Sequence, residues 1–359
     1  MKTIETTRGE IYFIREIEEQ VNDAKRYTSY TKIGLIKFTK DEDRFSEHRL
    51  GEHQTGNPRI LEIASRVETD CVSVVETYVH RQFGKMRRLG EWFQLSDEQF
   101  VTAVDFCRQV ADRFKGEISY LDEAKTLKEQ VSSGVKIEGN DDAAHWFTEY
   151  SRADYVMKSF AAVEKIYKDQ MKEAAALGED VSENADVKDV AREKLNEEKF
   201  NLKYPDLYRQ FITEQISVAG RFTIEKQKDL DLMDDPMIAE FTAIANQMTA
   251  LLGSSDPLSN SGQQIHSIHL ELLTANKQAE IDKQIAEAHL KVMCGTADGI
   301  EGVCSWKRAE KAKQVLDQKA LKASHPSEFG EFSEKVTGTR VVTRMTAQLM
   351  GDFPIIGCL

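Results

Sequence analysis

The N-terminal part of the chain consists of short segments with strand-like and helical patterns. Apolar and other residues alternate along 9–14 and 30–35, as they do in half-buried strands, and 60–67 is a third strand candidate. Residues 17–29, between the first two strands, are rich in charge and lack apolar periodicity. We therefore expect this insertion to lengthen the first hairpin.

Helical spacing appears on either side of the third strand. Residues 44–54 are predicted as one helix, and a stripe of Val and Phe side chains across 72–83 predicts a second, partly buried one. Arg49 and His53 lie four apart on the first helix, and Glu76 lies beside the buried stripe of the second. The order strand, strand, helix, strand, helix predicts an α+β domain with a small three-stranded antiparallel sheet and flanking helices.

Beyond about residue 96 the pattern becomes mainly helical. Further helices are predicted over 97–115 (ending near Gly116), 143–177, 184–217, 236–252 and 264–293, with a linker over 131–142 and a loop over 253–262. We divide the chain into a nuclease-like domain (1–115), a helical region (116–230) and a helical C-terminal region with a small strand element (231–359).

A spacing recurs in the two C-terminal regions. Two sets of residues have the same intervals along the sequence. The first is Leu195, Pro205, Tyr208 and Phe211, and the second is Leu316, Pro326, Phe329 and Phe332. The pattern predicts two related helical hairpins, one in each region.

The charge of the chain is unevenly distributed. The 359 residues carry a formal net charge of −13, which disfavours non-specific binding to nucleic acid. Residues 1–100 hold 16 Lys and Arg against 18 Asp and Glu, so most of the negative charge lies further along. A local basic cluster comprises Arg81, Lys85, Arg87 and Arg88. These residues are expected either to contact phosphates or to form a solvated helix end.

Cysteine usage and hydropathy indicate the compartment. The five cysteines are scattered without a Cys-x-x-Cys pair, which favours reduced thiols over a zinc site. The N-terminus lacks the apolar core of a signal peptide, and no apolar stretch approaches the length of a membrane span. We expect a cytoplasmic protein without membrane contact.

Four short motifs carry a resemblance to a known family. They are Tyr30–Gly34 (YTKIG), Gln54–Pro58 (QTGNP), Glu76-x-x-x-His80-x-x-Phe83 and Gly90–Phe93 (GEWF). In this order they resemble the GIY-YIG nuclease superfamily over residues 9–95, and most of all its phage branch, in which lysine replaces the second tyrosine. The sequence departs from the family at Glu10, which stands where the family has its first glycine.

The charges of these residues, and the resemblance, assign roles in metal-assisted phosphodiester hydrolysis. Glu76 would ligate one Mg²⁺ or Mn²⁺, because a carboxylate oxygen suits a hard cation that keeps most of its waters. Tyr12 would accept or relay the proton of the attacking water, and Lys32 would lower the Tyr12 pKa. Arg49 would neutralise charge on the phosphorane, and His53 is a secondary phosphate or proton contact. The expected function is a metal-dependent DNA endonuclease of phage or prophage origin.

The C-terminal region is less informative. Residues 287–345 loosely resemble the C-terminal region of YqaJ-type phage recombination exonucleases, without their nuclease site. Trp306 and Lys307 are either a DNA-stacking pair or a buried Trp beside a solvated Lys, and His266 and His269 are expected on a helix surface. The helical part would position DNA, bind a protein partner or self-associate. The alternative function is a non-catalytic DNA-binding or recombination accessory protein with a decayed nuclease fold.

Overall fold

A computed structural model of the chain describes residues 4, 6–21, 24–38, 46–55, 57–182, 184–225, 232–254 and 260–343. Within these ranges the strands are β1 (Gly9–Val21), β2 (Ala24–Lys37), β3 (Leu61–Thr69), β4 (Arg87–Leu89), β5 (Trp92–Gln94), β6 (Lys136–Ile137), β7 (Ala185–Leu195), β8 (Ile212–Gly220), β9 (Thr223–Ile224), β10 (Gly299–Ile300), β11 (Cys304–Ser305), β12 (Arg308–Leu316) and β13 (Ser333–Thr343). The helices are α1 (Ser46–Gln54), α2 (Val72–Gln82), α3 (Asp97–Lys128), α4 (Asp141–Ala176), α5 (Glu197–Lys203), α6 (Pro205–Gln210), α7 (Pro236–Ser254), α8 (Asn260–Cys294), α9 (Gln318–Ser324) and α10 (Pro326–Glu331), with 3₁₀ turns at Gly84–Met86 and Leu232–Asp234.

The N-terminal sheet contains the three predicted strands and two more. Its order is β3-β1-β2-β5-β4, and every neighbouring pair is antiparallel. The α+β class is confirmed, but the sheet has five strands where three were predicted. The two additional strands are only three residues each, too short to show a period in the sequence.

The charged insertion continues the first two strands. β1 runs to Val21 and β2 begins at Ala24, with register irregularities near Ile17. The hairpin is therefore lengthened as predicted. The predicted helix over 44–54 is confirmed as Ser46–Gln54, whereas 44–45 lie outside the described residues.

One apolar core joins the sheet to three helices. Val72, Val75 and Val79 of α2 are completely buried on the sheet, which confirms the predicted stripe. The same core contains Phe114 of α3 and Ile285 of α8. Helix α8 thus completes the core of the N-terminal sheet from the far end of the sequence.

Helix α3 begins as predicted but ends later. The Ser96 side chain accepts from the Gln99 backbone N–H, and the Gln99 side chain accepts from the Ser96 backbone N–H, which completes a capping box. The helix passes through Gly116 and continues to Lys128, because Leu121 and Leu127 extend its buried stripe. The prediction of an end at Gly116 is therefore wrong.

Helices α4, α7 and α8 pack together in a second core, close to the predicted ranges. His266 and His269 are completely buried in it, so their predicted surface position is wrong. His269 stacks on Tyr167 at 4.2 Å between ring centroids, and the Tyr167 hydroxyl lies 2.7 Å from Nδ1 of His266. Both histidines lie beside the buried apolar residues of α8, such as Ile265, Ile268 and Leu272, and are therefore buried with them.

Two other predictions in the helical part are corrected. The expected linker over 131–142 contains β6, which pairs in parallel with β10 in a small four-stranded sheet. The expected helix over 184–217 is instead β7, the short helices α5 and α6, and the start of β8. Six of the eleven residues of β7 are charged, which resembles the composition of a solvated helix.

The repeated spacing corresponds to two strand–helix–helix–strand copies that pair with each other. β7 of the first copy pairs with β13 of the second, and β12 pairs with β8. Leu195, Phe200, Leu316, Leu321 and Phe329 form the buried centre between the copies. The Asn196 N–H donates to the Phe332 carbonyl, and the Asp317 N–H donates to the Phe211 carbonyl at the equivalent place, both at 2.9 Å. The two copies are similar, as predicted, but they are not helical hairpins alone, because each also contains two strands.

Candidate active site

Tyr12 lies over the glycine of the neighbouring strand. The β1–β2 register places Tyr12 directly opposite Gly34. A Cβ atom at position 34 would lie 2.5 Å from the Tyr12 hydroxyl oxygen and 2.6 Å from Cζ, so glycine leaves the space that the ring occupies. Burial, and secondarily the charge of Glu91, raise the pKa of Tyr12 to about 12, with Arg49 opposing them. The phenol therefore keeps its proton at neutral pH.

Glu76 faces the same site from α2. Burial, and then repulsion from Glu91, raise the pKa of Glu76 to about 7, against the opposing charges of Arg87 and Lys32. The Glu76 charge in turn acts on Tyr12 across the site. A carboxylate with such a pKa is poised to exchange its proton for another cation near neutral pH.

Lys32 is held by a partner that was not predicted. Its Nζ donates to Oε2 of Glu91 at 2.6 Å, and the lysine is 7% exposed. Burial acts to raise the Glu91 pKa, but the hydrogen bond and the charge of Lys32 outweigh it and leave the pKa lowered. The Ile33 N–H donates to the Glu91 carbonyl at 3.0 Å, so the turn before β5 is fixed against β2. The charge of Arg49 lowers the Tyr12 pKa.

Arg49 and His53 approach Tyr12 from α1. Arg49 donates to Glu52 at 2.6 Å, and this hydrogen bond raises the Arg49 pKa. The rings of Tyr12 and His53 are 6.5 Å apart between centroids. Burial, followed by the charges of Lys32 and Arg49, lowers the pKa of His53. His53 is therefore neutral at physiological pH, and its Nε2 is buried without a hydrogen-bond partner among the described residues.

Behind the site, His80 links α2 to the sheet. Its Nε2 donates to the Ile33 carbonyl at 2.9 Å, and Nδ1 accepts from Arg87 at 2.9 Å. Burial and then the Arg87 charge lower the His80 pKa to about 4. The Arg87 guanidinium also lies over Phe93, 5.3 Å from the ring centroid. These contacts fix α2, and Glu76 with it, against β2 and β5.

Thus the five predicted catalytic residues come from separate elements to one place. Tyr12 and Lys32 are on neighbouring strands, Arg49 and His53 are on α1, and Glu76 is on α2. We compared the chain with known protein families, characterised proteins and solved structures. No match was found.

The predicted basic cluster does not form one exposed surface. Arg81 is 9% exposed and donates to Gln278 of α8 at 2.9 Å, so its predicted contact with DNA is wrong. Arg87 and Arg88 are adjacent on β4 and therefore point to opposite faces, Arg87 towards His80 and Arg88 towards solvent. The side chain of Lys85 lies outside the described side chains. The sequence showed four nearby charges, but the strand after α2 separates them.

Glu91 is the site residue that sequence reasoning missed. It belongs to the motif Gly90–Phe93, which carries the family resemblance but predicts no chemical role for the glutamate. A signal was present, because a lysine on a predicted sheet face needs a carboxylate partner when it is buried.

The residues present fit a single hard cation. The described residues contain no set of three or more His, Cys, Asp or Glu side chains arranged to hold a metal ion. Two carboxylates of the site are in salt bridges, Glu91 with Lys32 and Glu52 with Arg49. Glu76 forms no salt bridge in the described ranges, although neighbouring charges act on its pKa. One carboxylate with otherwise water ligands is a coordination mode that Mg²⁺ accepts.

The burial of Trp306 decides between the two roles predicted for it. Trp306 is 1% exposed and covered by Arg308, whose guanidinium lies 3.8 Å from the ring centroid, so it is not a stacking surface for bases. No helix in the described ranges is both long and apolar enough to cross a membrane.

Proposed function

We propose that the chain is a metal-dependent DNA endonuclease that hydrolyses phosphodiester bonds at the site between β1, β2, α1 and α2. The supporting observation is that five functional groups from four elements lie at one site. They are the Tyr12 phenol, the Lys32 and Arg49 cations, the neutral His53 imidazole and the Glu76 carboxylate, which forms no salt bridge in the described ranges. The resemblance to the GIY-YIG superfamily, with lysine in place of the second tyrosine, leads to the same reaction.

The two cations would bind and orient the scissile phosphate. Arg49 is partly exposed and offers its planar donors from α1, while Lys32 adds a buried positive charge from β2. Glu91 is a positioning residue, because it holds Lys32 and also acts on the Glu76 pKa. An Mg²⁺ or Mn²⁺ ion at Glu76 would stabilise negative charge on the leaving 3′ oxygen and on a non-bridging phosphate oxygen.

Proton transfer would involve two side chains. With a pKa of about 12, Tyr12 does not act as a free phenolate at neutral pH; it would accept the water proton only while giving up its own, as a relay. His53 would accept that proton at Nε2, which has no hydrogen-bond partner among the described residues, but burial lowers the His53 pKa and makes the ring a weaker base. This assigns His53 a larger part than a secondary contact.

The second candidate is a non-catalytic DNA-binding or recombination accessory protein of phage or prophage origin. A decayed site would be expected to lose its metal ligand. Glu76 is present, and its pKa is poised for cation exchange, which favours the enzyme. The looser YqaJ-like resemblance of residues 287–345 is compatible with either candidate.

Nicking of supercoiled plasmid tests the proposal. Wild-type protein with Mg²⁺ or Mn²⁺ should convert the plasmid to open-circular and linear forms, and EDTA should stop it. Glu76→Ala should lose this cleavage and keep its fold, whereas Glu47→Ala, on the exposed face of α1, should cleave normally. Cleavage by Glu76→Ala at the wild-type rate would remove Glu76 from the mechanism, and an inactive wild type that still binds DNA would favour the accessory protein.

A further inference from the structure

Two β-ribbons are exposed to solvent along most of their length. One consists of β7 and β13, the other of β8 and β12, and each is paired without a break in register. Residues 188–194 and 334–340 of the first ribbon and 310–314 and 213–217 of the second are exposed. Since successive side chains point to opposite faces, both faces of each ribbon reach solvent. Each ribbon spans about 30 Å.

The buried ends of the ribbons distinguish an inner from an outer face. Leu195 and Val341 anchor the first ribbon in two apolar cores, and side chains of the same alternation define its inner face. Arg308 and Leu316 do the same for the second ribbon. The outer faces consist of the other alternate positions.

Basic residues are concentrated on the two outer faces. The outer face of the first ribbon carries Lys188, Arg192, Lys194 and Arg340 against Asp186 and Glu334, and that of the second carries Lys311 and Lys313 with no acidic residue. The inner faces have the opposite balance, with Asp189, Glu193 and Lys335 on the first ribbon and Glu214 and Glu310 on the second beyond its buried Arg308. This separation occurs in a chain whose net charge is −13.

The repeat places equivalent cations on both ribbons. Arg192 precedes Leu195 by three residues, and Lys313 precedes Leu316 by three. Lys188 forms an ion pair with Asp186 at 2.7 Å, but no salt bridge in the described ranges engages Arg192 or Lys313. Cations left without a protein partner on two related surfaces are available to an external polyanion.

We propose that the outer faces of the two ribbons bind the phosphate backbone of double-helical DNA. The charge is complementary, and a two-stranded ribbon has the width that the major groove of B-DNA admits. The choice of DNA among polyanions rests on the proposed nuclease function. The ribbons would contribute uniform binding and hold the duplex while the site near Glu76 acts on it.

Duplex binding in EDTA tests the ribbons apart from the chemistry. Full-length wild type should bind a labelled duplex more tightly than a single strand of equal length. Arg192→Gln/Lys313→Gln should weaken duplex binding about tenfold at low salt and reduce the slope of log affinity against log salt by about two. The matched control Lys319→Gln/Lys335→Gln removes two exposed lysines, one on α9 and one on the inner face of the first ribbon, and should leave affinity and slope unchanged.

The outcomes separate this proposal from the proposed function. An outer-face variant that binds like wild type, an equal loss in the control, or tighter binding to single strands would overturn the ribbon proposal even if the plasmid is nicked. If the outer-face variant alone loses duplex binding and the wild type never nicks DNA, the ribbon proposal would be supported and the nuclease function rejected. Circular dichroism of each variant checks that the ribbons remain folded, which is expected because all four side chains are exposed.

Discussion

At the scale of single residues, the site contains a conflict between stability and activity at Glu76. Its carboxylate is largely withdrawn from water, and burial favours the protonated form. A cation would reverse that preference. The residue that we expect to be indispensable for cleavage is therefore also expected to destabilise the protein when no metal is bound.

This gives a prediction for Glu76→Gln in the absence of divalent ions. The folded pKa of about 7 lies above the ordinary value of 4.5, so the wild type is stabilised at low pH and loses that stability as pH rises through 7. Glutamine does not titrate. The variant should match wild type at pH 4 to 5 and exceed it at pH 8 by about 1 to 3 kcal/mol.

Chemical denaturation at pH 5 and pH 8, with EDTA or Mg²⁺, measures this difference. Mg²⁺ should stabilise the wild type at pH 8 and leave the variant unchanged. A variant that is less stable than wild type at pH 8 in EDTA would contradict the buried-charge account.

A second residue-scale prediction concerns Glu91→Gln. The substitution removes the repulsion that raises the Glu76 pKa, so the acidic limb of the pH–rate profile should move to lower pH. It also replaces the ion pair that holds Lys32, at 2.6 Å, by a weaker neutral hydrogen bond, so turnover at pH 8 should fall about tenfold.

The pH profile of plasmid nicking measures both effects. Glu47→Gln is the control, because Glu47 is also ion-paired but through exposed Arg66 on the outside of α1 and β3. If turnover falls while the acidic limb stays in place, Glu91 acts through Lys32 alone.

At the scale of elements, strand register determines where Tyr12 sits. Gly34 is directly opposite Tyr12, and a methyl group there would overlap the phenol. We predict that Gly34→Ala displaces the ring and lowers turnover about 100-fold, with little change in Mg²⁺ affinity because Glu76 is on a different element.

Single-turnover nicking across a Mg²⁺ series separates these two quantities. Gly51→Ala on α1 is the control, since a Cβ at that position meets no atom within 4 Å. Unchanged turnover in Gly34→Ala would show that the position of Tyr12 does not limit the reaction.

Elements with one buried face could be predicted, and elements without one could not. β1 to β3, α2, α4, α7 and α8 each alternate or repeat apolar residues against a core, and each predicted range overlaps the observed element, although β1 and β2 extend further than predicted. β7 is exposed on both faces along most of its length, so no period marks it, and its charges resemble a helix. The site residues on β1, β2, α1 and α2 could be predicted from their charges and from the family resemblance, whereas Glu91 lies in a turn whose position depends on tertiary pairing.

At the scale of the whole molecule, α8 connects the N-terminal sheet to the helical part. Ile281, Ile285 and Ala288 belong to the core of the N-terminal sheet, and Ile265 and Leu272 of the same helix belong to the second core. Polar contacts add to this connection, since the Tyr78 hydroxyl donates to Asp282 at 2.9 Å. The two parts share a continuous helix and are expected to unfold together.

The last prediction tests that coupling with Ile285→Ala. The side chain is 4% exposed, and its truncation leaves a cavity that should cost about 2 to 5 kcal/mol. Because Ile285 packs under the N-terminal sheet, hydrogen exchange in β1 should accelerate by as much as exchange in α8, although β1 precedes it by more than 260 residues. Leu202→Ala, which truncates an aliphatic side chain that is 84% exposed, is the control and should change neither. Acceleration confined to α8, with β1 as protected as in wild type, would mean that the N-terminal sheet does not depend on α8 for its core and is an independent folding unit.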